Sequence, residues 1–155
     1  TQVLLERGAK KVVALDVGTH QLHERLRADA RVFSLEKTHI LNVQQGDWLS
    51  WGITLPFDIF VCDVSFISVG KVIPHVWPWL KKDGSFIFLL KPQFELEAKK
   101  TPGGIVKNPD YHQEAIDKIK QVCQGLSDST WKGLVESPIT GGDGNKEFLV
   151  WLKKI

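Results

Sequence analysis

There is no methionine among the 155 residues, only one tyrosine, and only two cysteines, Cys62 and Cys123. Two thiols cannot build the disulfide framework on which small secreted domains rely, so the expected setting is reducing and cytoplasmic. Ordinary usage would give about three methionines at this length, and the first residue is Thr1. Both features lead us to expect a piece of a longer polypeptide. No apolar run approaches the roughly 18 residues needed to span a bilayer, and no signal peptide opens the chain, so no membrane role is expected. An excess of either charge is missing too. Twenty Lys and Arg stand against 18 Asp and Glu, giving a net charge of +2, which permits an RNA partner without arguing for one. The histidines and cysteines lack metal-ligand spacing, so no metal site is expected.

What is present fits one globular domain, with 43% hydrophobic and 25% charged residues, enough to bury a core. The run Ile59-Phe60-Val61-Cys62 suits a buried strand and stops at a carboxylate, Asp63. Beyond Gly84, the run Ser85-Phe86-Ile87-Phe88-Leu89-Leu90 stops at Lys91 and Pro92. Two adjacent strands ending in charges would set Asp63 and Lys91 side by side at one sheet edge, where open α/β sheets bind ligands. They could equally be an ion pair closing the top of the sheet or a proton acceptor, which is also built from a buried amine beside a carboxylate. Glu147 opens the last strand and would reach the same place if that strand neighbours the Lys91 strand.

Other segments alternate in the same way. The pattern predicts a helix over 1–7 with Gly8 as its stop, and a strand over 11–16. A short helix is expected over 20–27, from Leu22 and Leu26, and a strand over 31–35. Residues 36–50 read as loop with one helical turn near Asp47. Residues 68–80 read as a helix made irregular by Pro74 and Pro78, with a turn over 81–84. The stretch 95–109 reads as a long mobile loop. A helix is expected over 110–126 with Asp110 at its cap, and strands over 130–135 and 147–152. Alternation of this kind means α/β with a largely parallel sheet. Asp16 closes a strand just before a helix, which suits either a turn or cap aspartate or an acceptor for ribose hydroxyls. The six tryptophans read mainly as core and helix packing. Gly103-Gly104 and Gly141-Gly142 read as flexible turns, because neither lies between a buried strand and a helix start.

Five blocks, taken together, are more specific. They are Arg7-Gly8-Ala9-Lys10-Lys11-Val12 with Asp16-Val17-Gly18; Asp63-Val64-Ser65-Phe66-Ile67-Ser68; Lys91-Pro92-Gln93-Phe94-Glu95; Gly103-Gly104-Ile105-Val106; and Ser137-Pro138-Ile139-Thr140-Gly141 followed by Gly144-Asn145-Lys146-Glu147-Phe148-Leu149. In this order they resemble the hemolysin A (TlyA) family, whose catalytic half is an FtsJ-like, S-adenosylmethionine-dependent RNA 2′-O-methyltransferase. The resemblance implies an α/β, Rossmann-like class I methyltransferase, with a mostly parallel sheet, an antiparallel last strand and flanking helices.

It further implies a lysine, aspartate, lysine and glutamate tetrad, of which Asp63, Lys91 and Glu147 match the last three. Lys91 would take the ribose 2′-hydroxyl proton while Asp63 and Glu147 hold the amine. Asp16, Val17, Thr38, His39 and Asp63 match cofactor-binding positions, S-adenosylmethionine is the implied cofactor, and ribosomal RNA or ribosomal subunits are the implied partners. The family's first lysine, glycine-rich loop and leading strand would lie before Thr1, as would its small RNA-binding domain. A sheet without its central strand is expected to be unstable alone or rearranged. The sequence departs from the family at Thr19, His20, His39 and Leu41. Those departures motivate an alternative, a non-catalytic RNA-binding module with an altered cofactor site. Membrane lysis, which the family's name suggests, has no amphipathic segment behind it.

Overall fold

The computed structural model describes all 155 residues, Thr1 to Ile155. They form two compact units, 1–47 and 48–155. The first holds helix α1 (Gln2–Glu6), strand β1 (Val12–Leu15), helix α2 (Glu24–Arg27) and strand β2 (Val32–Leu35). A 3-10 turn (Ile40–Asn42) follows, and helix α3 (Gln45–Ser50) contains the boundary between the units. The second unit runs through β3 (Phe57–Cys62), α4 (Val69–Val76), β4 (Leu80–Leu90), α5 (Pro92–Glu95), α6 (Pro109–Gln124), β5 (Ser129–Glu136) and β6 (Phe148–Lys154).

In the first unit β1 and β2 pair in parallel, Val12 opposite Val32 and Leu15 opposite Leu35. The short helix expected over 20–27 is confined to α2. His23 sets its start, because the ring Nδ1 accepts the Arg25 N–H at 3.2 Å and so caps the first turn. Gly8 follows α1 at φ 92°, the left-handed conformation expected of a helix stop.

The second unit is a four-stranded sheet in the order β3-β4-β6-β5. β3 and β4 are parallel, and β6 is antiparallel to both of its neighbours, β4 and β5. Three strands therefore run one way and the last runs against them, as the resemblance implies. The strands of the chain do not, however, make one continuous sheet. β1 and β2 pair only with each other, and β3 has a neighbour on one side alone.

The helices cover one face of the four-stranded sheet. Phe86, Phe88 and Leu90 alternate on that face of β4 and are essentially inaccessible, as are Val150 and Leu152 of β6. Burying each such side chain is worth about 1.5–3 kcal/mol. α4 contributes Val72, Ile73 and Val76, and α6 contributes Ala115, Ile116 and Ile119. On the opposite face Val61 is opposite Ile87, Ile87 opposite Trp151, and Leu89 opposite Leu149. Val61, Leu149 and Trp151 there remain 49%, 37% and 45% exposed.

The turn expected over 81–84 lies within β4. Pairing slips between Phe57 and Ile59, and Asp83 takes φ 61°, so the strand kinks without ending. Pro74 sits inside α4 and Pro78 in the 3-10 turn Trp77–Trp79 that succeeds it, which is the irregularity expected there. α6 starts at Pro109 with Asn108 as its cap instead of Asp110. The Asn108 side chain accepts the Asp110 N–H at 3.0 Å, and proline suits the first helical position. Residues 95–109 contain 3-10 turns at Ala98–Lys100 and Pro102–Gly104 in place of a structureless loop. Asn145, 2% exposed, anchors their end by accepting Val106 N–H at 2.9 Å and donating to Gly104 O at 2.8 Å. Trp48, Trp77 and Trp79 are buried as expected, whereas Trp151 is not.

Candidate active site

β3 ends at Cys62, and β4 beside it ends at Leu90. Because these strands are parallel, the residues that follow each emerge at the same edge. There the Lys91 Nζ lies 2.7 Å from Asp63 Oδ1 and donates to Ser65 Oγ at 3.0 Å. The lysine side chain is 13% exposed and the aspartate 68%, so the amine is largely enclosed while its acid faces outward.

Glu147 arrives from the other side. The antiparallel register sets Leu90 opposite Phe148, so the next residues outward on the two strands are Lys91 and Glu147. Glu147 is 6% exposed, and its Oε1 accepts a hydrogen bond from Gln93 Nε2 at 3.2 Å. The direct partner of Glu147 is thus Gln93 and not Lys91, so the expectation that Glu147 holds the amine is not met by any direct bond. Gln93 Oε1 is buried and unpartnered. The turn 137–147 closes over this acid. Ser137 N–H donates to Glu147 O at 2.8 Å, and a Cβ at Gly141 would stand 2.6 Å from Glu147 Oε1. Gly141 is therefore a close-approach glycine, more constrained than the flexible turn expected of it.

Two further features of this rim were not foreseen. Phe66 is 92% exposed and takes φ 62°, a conformation rare for a bulky residue, with its ring 5.2 Å from that of Phe94. Glu95 is 3% exposed and accepts hydrogen bonds from Ser68 Oγ at 2.5 Å and Val69 N–H at 2.7 Å. Burial pushes its carboxyl upward more strongly than Ser68, Val69 and Lys118 pull it down. Burial likewise raises the neighbouring Cys62 thiol to about 12, with Asp63 adding to the rise and Lys91 opposing it. A signal for Phe66 was available in its place in the loop that follows a buried strand and its carboxylate. Gln93 and Glu95 had only their membership of the block that starts at Lys91, which gave them no role.

The remaining candidates belong to the first unit. Asp16 and Val17 follow β1, Thr38 and His39 follow β2, and the two ends adjoin through Thr38 N–H donating to Asp16 O at 3.0 Å. Asp16 Oδ1 accepts Gly18 N–H at 2.7 Å, as a turn aspartate would, and the residue is exposed. Val17 is 64% exposed. His39 Nδ1 accepts Leu41 N–H at 3.2 Å, capping the 3-10 turn. His20 takes φ 56° with its N–H on Glu36 Oε1 at 2.9 Å. The backbone there keeps the left-handed conformation a glycine would adopt.

The sequence pattern of the FtsJ-like methyltransferases matches residues 1–154. This chain belongs to that family. The 16S/23S rRNA (cytidine-2′-O)-methyltransferase TlyA of Mycobacterium tuberculosis is 36% identical over 156 aligned residues, spanning 99% of this chain and 55% of that protein. Hemolysin A of Brachyspira hyodysenteriae is 37% identical, over 96% of this chain and 60% of that protein. The chain therefore spans little more than half of the relatives it matches. A crystal structure of a Lactococcus lactis protein that carries a hemolysin name superposes with a TM-score of 0.91 at 40% identity, covering 99% of this chain and 71% of that one. Despite those names, no helix here is long and apolar enough to cross a membrane.

Proposed function

We propose that this chain forms the methyltransferase domain of an enzyme that places a methyl group on a ribose 2′-oxygen of ribosomal RNA, acting in the cytoplasm. The observation that carries the reading is the largely enclosed Lys91 amine, 2.7 Å from Asp63 and adjacent to Glu147 at one sheet edge. Bound S-adenosylmethionine would supply the electrophilic methyl group. Lys91, as the free amine, takes the 2′-hydroxyl proton as the oxygen attacks. Asp63 stabilises the ammonium so formed, and Ser65 holds it in place. The 2′-oxygen would lose its proton to Lys91 and gain the methyl carbon as the sulfonium S–C bond breaks and the neutral thioether leaves, so no covalent enzyme intermediate is needed. Glu147, held by Gln93, is a second acid on the neighbouring strand and would act through the field at the site, not by an ion pair with the amine.

The first unit fits the cofactor's ribose. Asp16 spends one carboxylate oxygen on Gly18 and, being exposed, keeps the other available for a diol. Thr38 and His39 border the same strand ends, where an adenine would follow. The left-handed backbone at His20, one that a glycine adopts freely, favours this reading over a non-catalytic module. On the RNA side, Phe66 offers an exposed ring face beside Asp63 and Ser65, suited to a base drawn out of its stack.

The decisive experiment incubates the full-length gene product with labelled S-adenosylmethionine and ribosomal subunits from cells lacking the gene, then digests the RNA for mass spectrometry. A 2′-O-methyl nucleoside formed by the unaltered protein, and absent with Lys91→Ala, is expected. Transfer that survives Lys91→Ala, or no transfer to any subunit, would remove the reading.

A further inference from the structure

Glu95 is a buried acid with no part in the proton transfer just described. Its position would cost stability were it not bonded. Each carboxylate oxygen takes one donor from the far end of the loop that begins at Asp63: Oε2 from Ser68 Oγ and Oε1 from Val69 N–H. Ser68 Oγ in turn accepts Gly70 N–H at 3.1 Å, capping α4. The main-chain oxygen of Glu95 is itself held by the Lys118 ammonium. The loop 63–68 is therefore tied at its start by β3 and at its finish by Glu95. Between those ties lie Asp63 and Ser65, both on the Lys91 amine, and Phe66, against Phe94.

Lys91 and Glu95 bracket α5, a single short turn. One end of that turn carries the amine and the other clamps the loop that carries the amine's partners. We propose that Glu95 is a positioning residue, which sets the distance between the Asp63 loop and Lys91 without touching substrate or cofactor. The inference rests on the methyltransferase reading for its kinetic consequence, though not for its geometric one. A shift of about 1 Å in such an arrangement can cost up to about 100-fold in rate.

The test compares Glu95→Ala, Glu95→Gln and Ser68→Ala in the full-length product. Glutamine can still accept the Val69 N–H and can donate to Ser68 Oγ, so it serves as the conservative rescue. Glu95→Ala is expected to lower kcat roughly 10- to 100-fold with KM for both substrates nearly unchanged, Ser68→Ala to lower it less, and Glu95→Gln to recover most of the loss. A merely structural role would reduce the amount of active protein without this split and without rescue. Unchanged kcat in folded Glu95→Ala, or glutamine no better than alanine, would overturn the proposal. If Glu95→Ala does not fold, Ser68→Ala decides by the same split. If the unaltered protein transfers no methyl group, the functional reading falls by itself. A crystal structure of the alanine variant then decides the geometry. An Asp63–Lys91 separation beyond about 4 Å supports the clamp, and the original spacing refutes it.

Discussion

Lys91 and Asp63 form an ion pair 2.7 Å long whose members differ in environment, the lysine side chain 13% exposed and the aspartate 68%. An acid that open to water gives the pair little stabilising value, about 0–1 kcal/mol. Its worth to the protein therefore lies in where the amine is held.

Replacing Lys91 by methionine keeps the stem's packing and removes the amine. Methyl transfer should fall by roughly 10²- to 10⁴-fold, while the melting temperature drops by no more than about 4 °C. Lys91→Arg should be equally inactive, because a guanidinium stays protonated and cannot accept the proton. Single-turnover assays alongside thermal melts read both quantities.

Gly141→Ala would bring a methyl group to 2.6 Å from Glu147 Oε1. The acid or the turn must move, with an expected cost of about 1–3 kcal/mol and a lowered kcat. Gly142→Ala is the control, since nothing lies within 4 Å of its added methyl. Urea unfolding should separate the two variants; equal stabilities would show that Glu147 swings aside freely.

Cys62 and Cys123 both have thiols raised to about 12, chiefly by burial. At about pH 8 neither presents an appreciable thiolate. Alkylation by iodoacetamide, followed by mass spectrometry, should label both within minutes in denaturant and hardly at all in the folded protein.

Glu95 gives the fold a dependence on pH. Its carboxyl lies above the ordinary 4.5 because burial outweighs the bonds from Ser68 and Val69, so the folded state favours the protonated form. That contribution is complete below the unfolded value and is lost as pH rises through the folded one. Glu95→Gln stays neutral throughout, so its stability relative to the wild type should increase between about pH 4 and about pH 7. Urea titrations across that range check the sign, and a relative loss toward pH 7 would contradict it.

The sequence was informative wherever an apolar run ended in a charge. Ile59 to Asp63 and Phe86 to Lys91 each announced a buried strand and its rim, and parallel pairing brought the two charges together. Glu147 was legible only conditionally, since its place depends on which strand β6 joins and in which direction. Gln93, Glu95 and Asn145 lay within the blocks that carry the resemblance but showed no role of their own, because a polar side chain that caps, clamps or bridges looks like any loop residue until its partner is known. Helix starts moved for a similar reason. The ring nitrogen of His23 and the amide oxygen of Asn108 accept backbone N–H groups and so set starts other than the His20 and Asp110 expected from the pattern. The break between the β1–β2 sheet and the rest could not be read from alternation, which counts strands and says nothing of continuity.

The placement of β6 has a consequence for how the protein reaches its native state. It is the last strand in chain order, yet it is inserted between two strands already made. Without it, β4 and β5 each present an open hydrogen-bonding margin, and Glu147 has no place at the rim. Any species in which this strand is detached should therefore be both prone to edge-to-edge association and unable to carry out the chemistry.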